Sequence, residues 1–146
     1  MKPFAISAHP IDAAGLATGL DHVSAGACVV FEGRVRNHNE GRQVVGLDYQ
    51  AHAALAEAEG ERLLAEAIGR FGLRQARCVH RVGTLGIGEA AVWVGVSADH
   101  RDVAFEGCRW IIDELKRRVP IWKNEHYADG ESGWVHPDPA PSPPHP

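Results

Sequence analysis

The chain has 146 residues, 45% of them apolar and 23% charged, which fits one soluble globular domain whose core is large enough to stand without disulfides. Its 15 Lys and Arg against 19 Asp and Glu give a net charge of −4, which argues against general nucleic-acid binding, and no run approaches the ~20 apolar residues that cross a bilayer. Cys28, Cys78 and Cys108 are odd in number and set in apolar segments, so buried reduced thiols are expected; MKPFAISAHPID lacks a basic segment followed by an apolar run, so a cytoplasmic protein without a secretory signal is expected.

The segment 11–20 is rich in Ala and Gly with Asp12 as an N-cap, and reads as a short helix. The stretch 25–36 (AGACVVFEGRVR) reads as a strand, apolar and β-branched up to Phe31, in which Arg34 and Arg36 share a face at the basic end. NHNEGR has turn composition and VVGLDYQ is a second strand, so the two strands are expected to pair as a hairpin. A helix is predicted over 53–71, with Leu55, Ala58, Leu63, Ala67 and Phe71 at roughly helical spacing. Strands over 77–82 and 90–97, joined through TLGIGE, form a second hairpin.

Between Asp102 and Arg118 the apolar positions Ala104, Cys108, Ile111, Ile112, Leu115 and Val119 recur at three- and four-residue steps, the stripe of an amphipathic helix. Ser97 or Asp99 is the expected cap, and Pro120 is the stop. Short strands over 121–127 and 133–135 flank ADGES, and residues 137–146 are a proline-rich, disordered tail after a single domain over 1–136. The order predicts an α+β domain in which a largely antiparallel sheet is covered by two main helices.

Only three of the basic residues are lysines, and two of them, Lys116 and Lys123, stand seven residues apart in LKRRVPIWKNE. Guanidinium stays protonated at any working pH, whereas an ammonium can lose its proton when desolvated or crowded by cations, so lysines with Arg117 and Arg118 alongside are candidate catalytic groups. The same cations also suit the negative end of a helix dipole. Three polar clusters lie where the scaffold turns: Arg34, Arg36, Asn37 and His38; His100 and Arg101; and the stretch 116–123. They supply cations and neutral imidazoles but no carboxylate pair, which suits an anionic substrate, phosphate above all.

Arg101 and Lys116 are separated by fifteen residues of one helix, about 22 Å at ~1.5 Å per residue, so they cannot share a small pocket within one subunit. A two-fold dimer would bring His100 and Arg101 of one chain to Lys116 of the other. No metal-binding spacing is present, and the glycines at 83, 86 and 88 form neither a phosphate loop nor a dinucleotide fingerprint. No serine lies in a nucleophile-elbow context.

The blocks GACVVFEGRVRNHN, VHRVGTLGIGEAAVWVGVSADHR, AFEGCRWIIDELKRRVPIWKNE and GWV, in that order and spacing over roughly residues 24–135, resemble the large catalytic subunit of molybdopterin synthase. The resemblance implies an α/β hammerhead-like core with a small additional β subdomain, and a two-fold dimer. It implies a sulfurtransferase that makes the dithiolene of molybdopterin from cyclic pyranopterin monophosphate. Sulfur would come from the C-terminal Gly-Gly thiocarboxylate of a small ubiquitin-like subunit, in a heterotetramer, with no cofactor. Carried over by motif, Lys116 and Lys123 are the catalytic lysines, while Arg34, Val35, Arg36, His100, Arg101, Asn124 and Glu125 bind substrate. The rival reading is a non-catalytic module that docks a ubiquitin-like protein or binds a phosphate-bearing ligand.

Overall fold

The computed structural model describes residues 2–130 and 132–136, and the expected proline-rich tail lies outside them. Two sheets organise the chain. In the first, β1 (Phe4–Ser7) runs parallel to β5 (Gln75–Arg81), which is antiparallel to β7 (Ala90–Ala98), itself antiparallel to β2 (Ala27–Arg34). The second sheet follows the order β3 (His38–Asn39), β4 (Arg42–Ala51), β8 (Ile121–Tyr127) and β9 (Trp134–Val135), with β6 (Gly83–Leu85) also on β4. The fold is α+β, as expected.

Three helices complete it: α1 (Ala13–Ala17), α2 (Ala53–Phe71) and α3 (Arg101–Arg118). Asp12 caps α1 by accepting from the Gly15 amide at 3.1 Å, and a 3₁₀ turn over Thr18–Leu20 follows. The six apolar positions picked out from 104 to 119 are all buried against the first sheet. In α2 the buried row is Ala56, Gly60, Leu63, Leu64 and Ala67, whereas Leu55 is 64% exposed. The expected stripe was rotated because it counted Leu55 and Ala58 as inward and passed over Gly60. Gly60 is what lets α2 lie on β1, since a Cβ there would sit 2.3 Å from Cγ of the fully buried Phe4 ring.

Strand β7 is buried from Ala91 to Ala98 because the helices cover one face and Leu20 helps to cover the other. Gly95 leaves room there for Trp93 and Leu20, each 1% exposed.

Three further expectations are corrected. Strands β2 and β4 do not form a hairpin: β2 pairs with β7 and β4 with β8, in different sheets. The local hairpin is instead β3–β4, whose two-residue turn, Glu40 and Gly41 at φ 50° and 76°, has the left-handed pair that matches strand twist. Cys28 is exposed, because it lies on the β2 face turned from the helices, while Cys78 and Cys108 are buried. Neither Ser97 nor Asp99 caps α3. His100 occupies the cap without a side-chain bond, and Asp99 instead accepts from Arg74 at 2.7 and 3.0 Å. Among the described residues no helix is long and apolar enough to cross a membrane.

Gly60→Ala gains about 1 kcal/mol of helix propensity but forces the Phe4 ring aside, at a cost of about 1–3 kcal/mol, so it is expected to be neutral to destabilising. Gly69→Ala, on the exposed side of α2 where a Cβ meets nothing within 4 Å, is expected to stabilise by about 0.5–1 kcal/mol. Urea midpoints of both variants check the packing: a Gly60→Ala protein as stabilised as Gly69→Ala would contradict it.

Candidate functional site

A cavity of about 330 Å³ opens where the C-terminal end of α3 meets the faces of β4 and β8. Each element delivers its residue for a local reason. Lys116 sits in the last turn of α3, one residue beyond the buried Leu115, so its stem leaves the core at the cavity rim. On β8 the two-residue alternation sends Lys123 and Glu125 to the cavity and Asn124 to the opposite face. Arg34 ends β2 after a bulge at Gly33/Arg34, and Val35 is pinned beyond it by backbone bonds with Gly88 and Glu89, at 2.7 and 3.0 Å. Val35 is buried and supplies an apolar wall, with Arg36 next to it at the opening.

The site contains a carboxylate that the polar clusters alone did not reveal. Lys123 Nζ lies 2.7 Å from Glu125 Oε1, in a pair with side chains 33% and 11% exposed. The Tyr127 hydroxyl donates to Glu125 Oε2 at 2.9 Å and accepts from Asn39 Nδ2 at 2.9 Å, and Asn39 Oδ1 accepts from Arg36 Nη2 at 3.3 Å. The Arg42 guanidinium lies over the Tyr127 ring at 3.6 Å. Desolvation raises the Glu125 pKa, but the bond and charge of Lys123, the Tyr127 hydroxyl and the Arg36 charge together outweigh it and hold the carboxyl below the usual range. Lys116, by contrast, has no carboxylate partner among the described residues. Its neighbours do not crowd it as expected: Arg117 turns to Glu114 at 2.7 Å, and Arg118 to Glu59 and Glu66 on α2 at 2.7 and 2.6 Å.

Two cavity residues escaped the sequence reading. Tyr49, opposite Lys123 in the β4–β8 register, has its pKa pushed up to about 12 by burial and by the Glu125 charge, so it keeps its proton. His80 continues the row of Cys78 on β5 past the edge of the core and into the cavity. That alternation was the available signal, but nine histidines in the chain gave no reason to select it. Burial pushes the Cys78 thiol up and the Cys108 thiol up to about 11, so neither is a thiolate nucleophile. Among the described residues no three His, Cys, Asp or Glu side chains cluster as metal ligands.

The expected site residues are thus divided. Lys116, Lys123, Arg34, Val35, Arg36 and Glu125 line one cavity. His100 and Arg101 lie exposed at the opposite end of α3, and Asn124 lies on the reverse face of β8.

Fold and cavity together define an α+β protein with a lysine-bearing cationic pocket at a helix–strand junction. The chain belongs to the MoaE protein family, whose model matches residues 6–118. It is 48% identical over 119 residues to a molybdopterin synthase catalytic subunit from Oryza sativa subsp. indica, covering 80% of this chain and 62% of that protein. The same name belongs to a Pyrococcus abyssi protein 47% identical over 115 residues, 79% of this chain and 77% of that one. The chain therefore spans less than two thirds of the length of the rice relative. Among solved structures it resembles molybdopterin synthase from Staphylococcus aureus, with TM-score 0.86 and 34% identity over 92% of this chain and 98% of that one. Molybdopterin cofactor biosynthesis protein E from Burkholderia multivorans gives TM-score 0.78 and 31% identity over 92% and 90%.

Because the folded-state pKa of Glu125 is depressed, its contribution to stability is present above the unfolded value near 4.5 and is lost as pH falls through the folded value. Glu125→Gln is expected to cost about 1–2 kcal/mol at pH 7, through the weakened Lys123 and Tyr127 contacts, and the gap from the parent is expected to narrow as pH falls below the unfolded value. Urea unfolding at pH 7 and at a series of lower pH values measures the gap, and a gap that stays constant would contradict the pairing.

Proposed function

We propose that this chain is the catalytic subunit of a molybdopterin synthase, moving sulfur from the C-terminal thiocarboxylate of a small ubiquitin-like subunit onto cyclic pyranopterin monophosphate. The observation that carries the proposal is the convergence of Lys116 and Lys123, from a helix end and a strand, on one cavity with Arg34 and Arg36 at its opening. Membership of the MoaE family and the name shared by the rice and archaeal relatives support it. That name, catalytic subunit, itself implies a second subunit.

In this reading the two lysines differ in duty. Lys123 is already neutralised by Glu125 and acts as a fixed charge that orients substrate. Lys116 carries no carboxylate and is the ammonium that meets the incoming thiocarboxylate. It stabilises the negative charge that develops when the sulfur-bearing carbonyl becomes tetrahedral, and it supplies or takes a proton there. Arg36 and Arg34 hold the cyclic phosphate, with Val35 as the apolar wall and Glu125 fixing Lys123. Asn124, on the reverse face of β8, supports the strand rather than touching substrate.

His100 and Arg101 enter from a second copy across a two-fold axis, because α3 holds them too far from Lys116 of their own chain. The edge strand β2, with Val30 and Phe31 exposed beside the cavity, is a surface that such a partner would cover. The three free cysteines suit a reducing compartment, and we infer a cytoplasmic location.

With a thiocarboxylated small subunit and the cyclic pterin supplied, Lys116→Ala is expected to lower dithiolene formation at least about a hundredfold without loss of folding. Lys116→Arg keeps the charge and removes a titratable amine, so it is expected to lose turnover as well; full activity there would mean that charge alone suffices. Mixing Lys116→Ala chains with Arg101→Ala chains is expected to restore activity, since one site of the mixed dimer is then intact. Absence of any complementation, with both variants dimeric, would refute the shared site.

A further inference from the structure

His80 is the most deeply buried imidazole of the cavity, and the proposed reaction leaves its chemistry unused, as it does that of Tyr49 and His38. It is 5% exposed, and its Nδ1 lies 2.7 Å from the Arg81 carbonyl oxygen. A carbonyl can only accept, so Nδ1 carries the hydrogen and Nε2 carries a lone pair. The Tyr49 ring meets the imidazole edge-on at 4.7 Å and 81°, which fixes its orientation. No donor of the protein reaches Nε2 among the described residues.

Most of the cavity offers donors, and its other imidazole, His38 on β3, is exposed where His80 is buried. Lys116 from α3, Lys123 from β8, and Arg34 and Arg36 from the end of β2 offer only donors. The Glu125 oxygens are engaged by Lys123 and Tyr127, and the protonated Tyr49 hydroxyl can either donate or accept. Burial, with a smaller push from the Lys116 charge, outweighs the Arg81 bond and lowers the His80 pKa to about 4, so the ring is neutral at any working pH. It is too weak a base to strip a proton from an ammonium, and acceptance of a hydrogen bond is what remains to it.

We propose that His80 Nε2 accepts an N–H of the pterin heterocycle at the inner wall of the cavity and thereby selects the ring system, while the arginines select its phosphate. This rests on the reading of the cavity as the pterin site. A ligand with phosphate but no ring N–H makes no use of His80.

The test measures dissociation constants of the full chain for cyclic pyranopterin monophosphate and for inorganic phosphate. His80→Phe is expected to raise the pterin constant on the order of tenfold while leaving the phosphate constant unchanged. His80→Gln, whose amide oxygen stands in for Nε2, is expected to recover most of the loss. Equal pterin affinity of wild type and His80→Phe would overturn the assignment while leaving the cavity reading intact. A wild type that binds no pterin would overturn both. Nitrogen-15 spectra of the wild-type imidazole serve if the variants misfold: an Nε2 resonance of the unprotonated type that moves upfield on saturation with pterin supports the contact, and one that does not move overturns it.

Discussion

The junction between α3 and β8 is the constraint on which the cavity depends. Pro120 has no amide hydrogen and drives the residue before it out of the helical region, and Val119 accordingly leaves α3 with ψ 131°. The turn is then held from three sides. The Val119 amide donates to Leu115 at 3.0 Å, its carbonyl is met by the His136 ring at 3.0 Å, and its side chain is 1% exposed. Arg118 reaches Glu59 and Glu66 on α2, with Glu114 at 3.8 Å, from a side chain 19% exposed. Ion pairs of this half-buried kind add modest net stability, but they fix geometry, and here they fix the helix end that carries Lys116. Seven residues later, Lys123 emerges from the strand that the same turn launches.

Net charge says little about this site because the carboxylates are spent elsewhere. The chain carries −4 overall, yet Arg42 is matched by Asp129, Arg74 by Asp99, Arg117 by Glu114 and Arg118 by the α2 glutamates. What decides the local field is which cation is left without a partner, and Lys116 is such a cation beside a cavity with apolar walls. Low-dielectric walls weaken screening there, so one unmatched ammonium counts for more than several matched guanidinium groups on the surface.

Much of the scaffold was legible because its signals are local. The α3 stripe, the bounds of α2 and the break at Pro120 each follow from neighbours within a few residues, and the family blocks pointed to both lysines. What was not legible is non-local. Alternation along β2 and β4 tells which side chains share a face but not which strand lies alongside, so a hairpin between them was the economical and wrong pairing. The same gap hid Cys28: an apolar strand reads as buried until one knows that it lies at a sheet edge. Glu125 is a different case: the predicted strand over 121–127 already set it on one face with Lys123, but alternation alone does not say that two side chains on a face pair with each other.

The cavity is chemically two-sided, and the sidedness has a structural origin. Its opening is built from a strand end, a hairpin and a helix end, the places where long cationic side chains can reach solvent without being desolvated. Its inner wall is built from the middle of β4 and the last residues of β5, where only neutral polar groups are tolerated, and there the chain places Tyr49 and His80, both held neutral by burial. A ligand that is anionic at one end and a neutral, hydrogen-bonding heterocycle at the other matches that gradient in one orientation only. Reversing it would strand a phosphate among apolar walls, a penalty of buried charge. The orientation of such a ligand beside Lys116 would therefore be set by desolvation as much as by any individual contact.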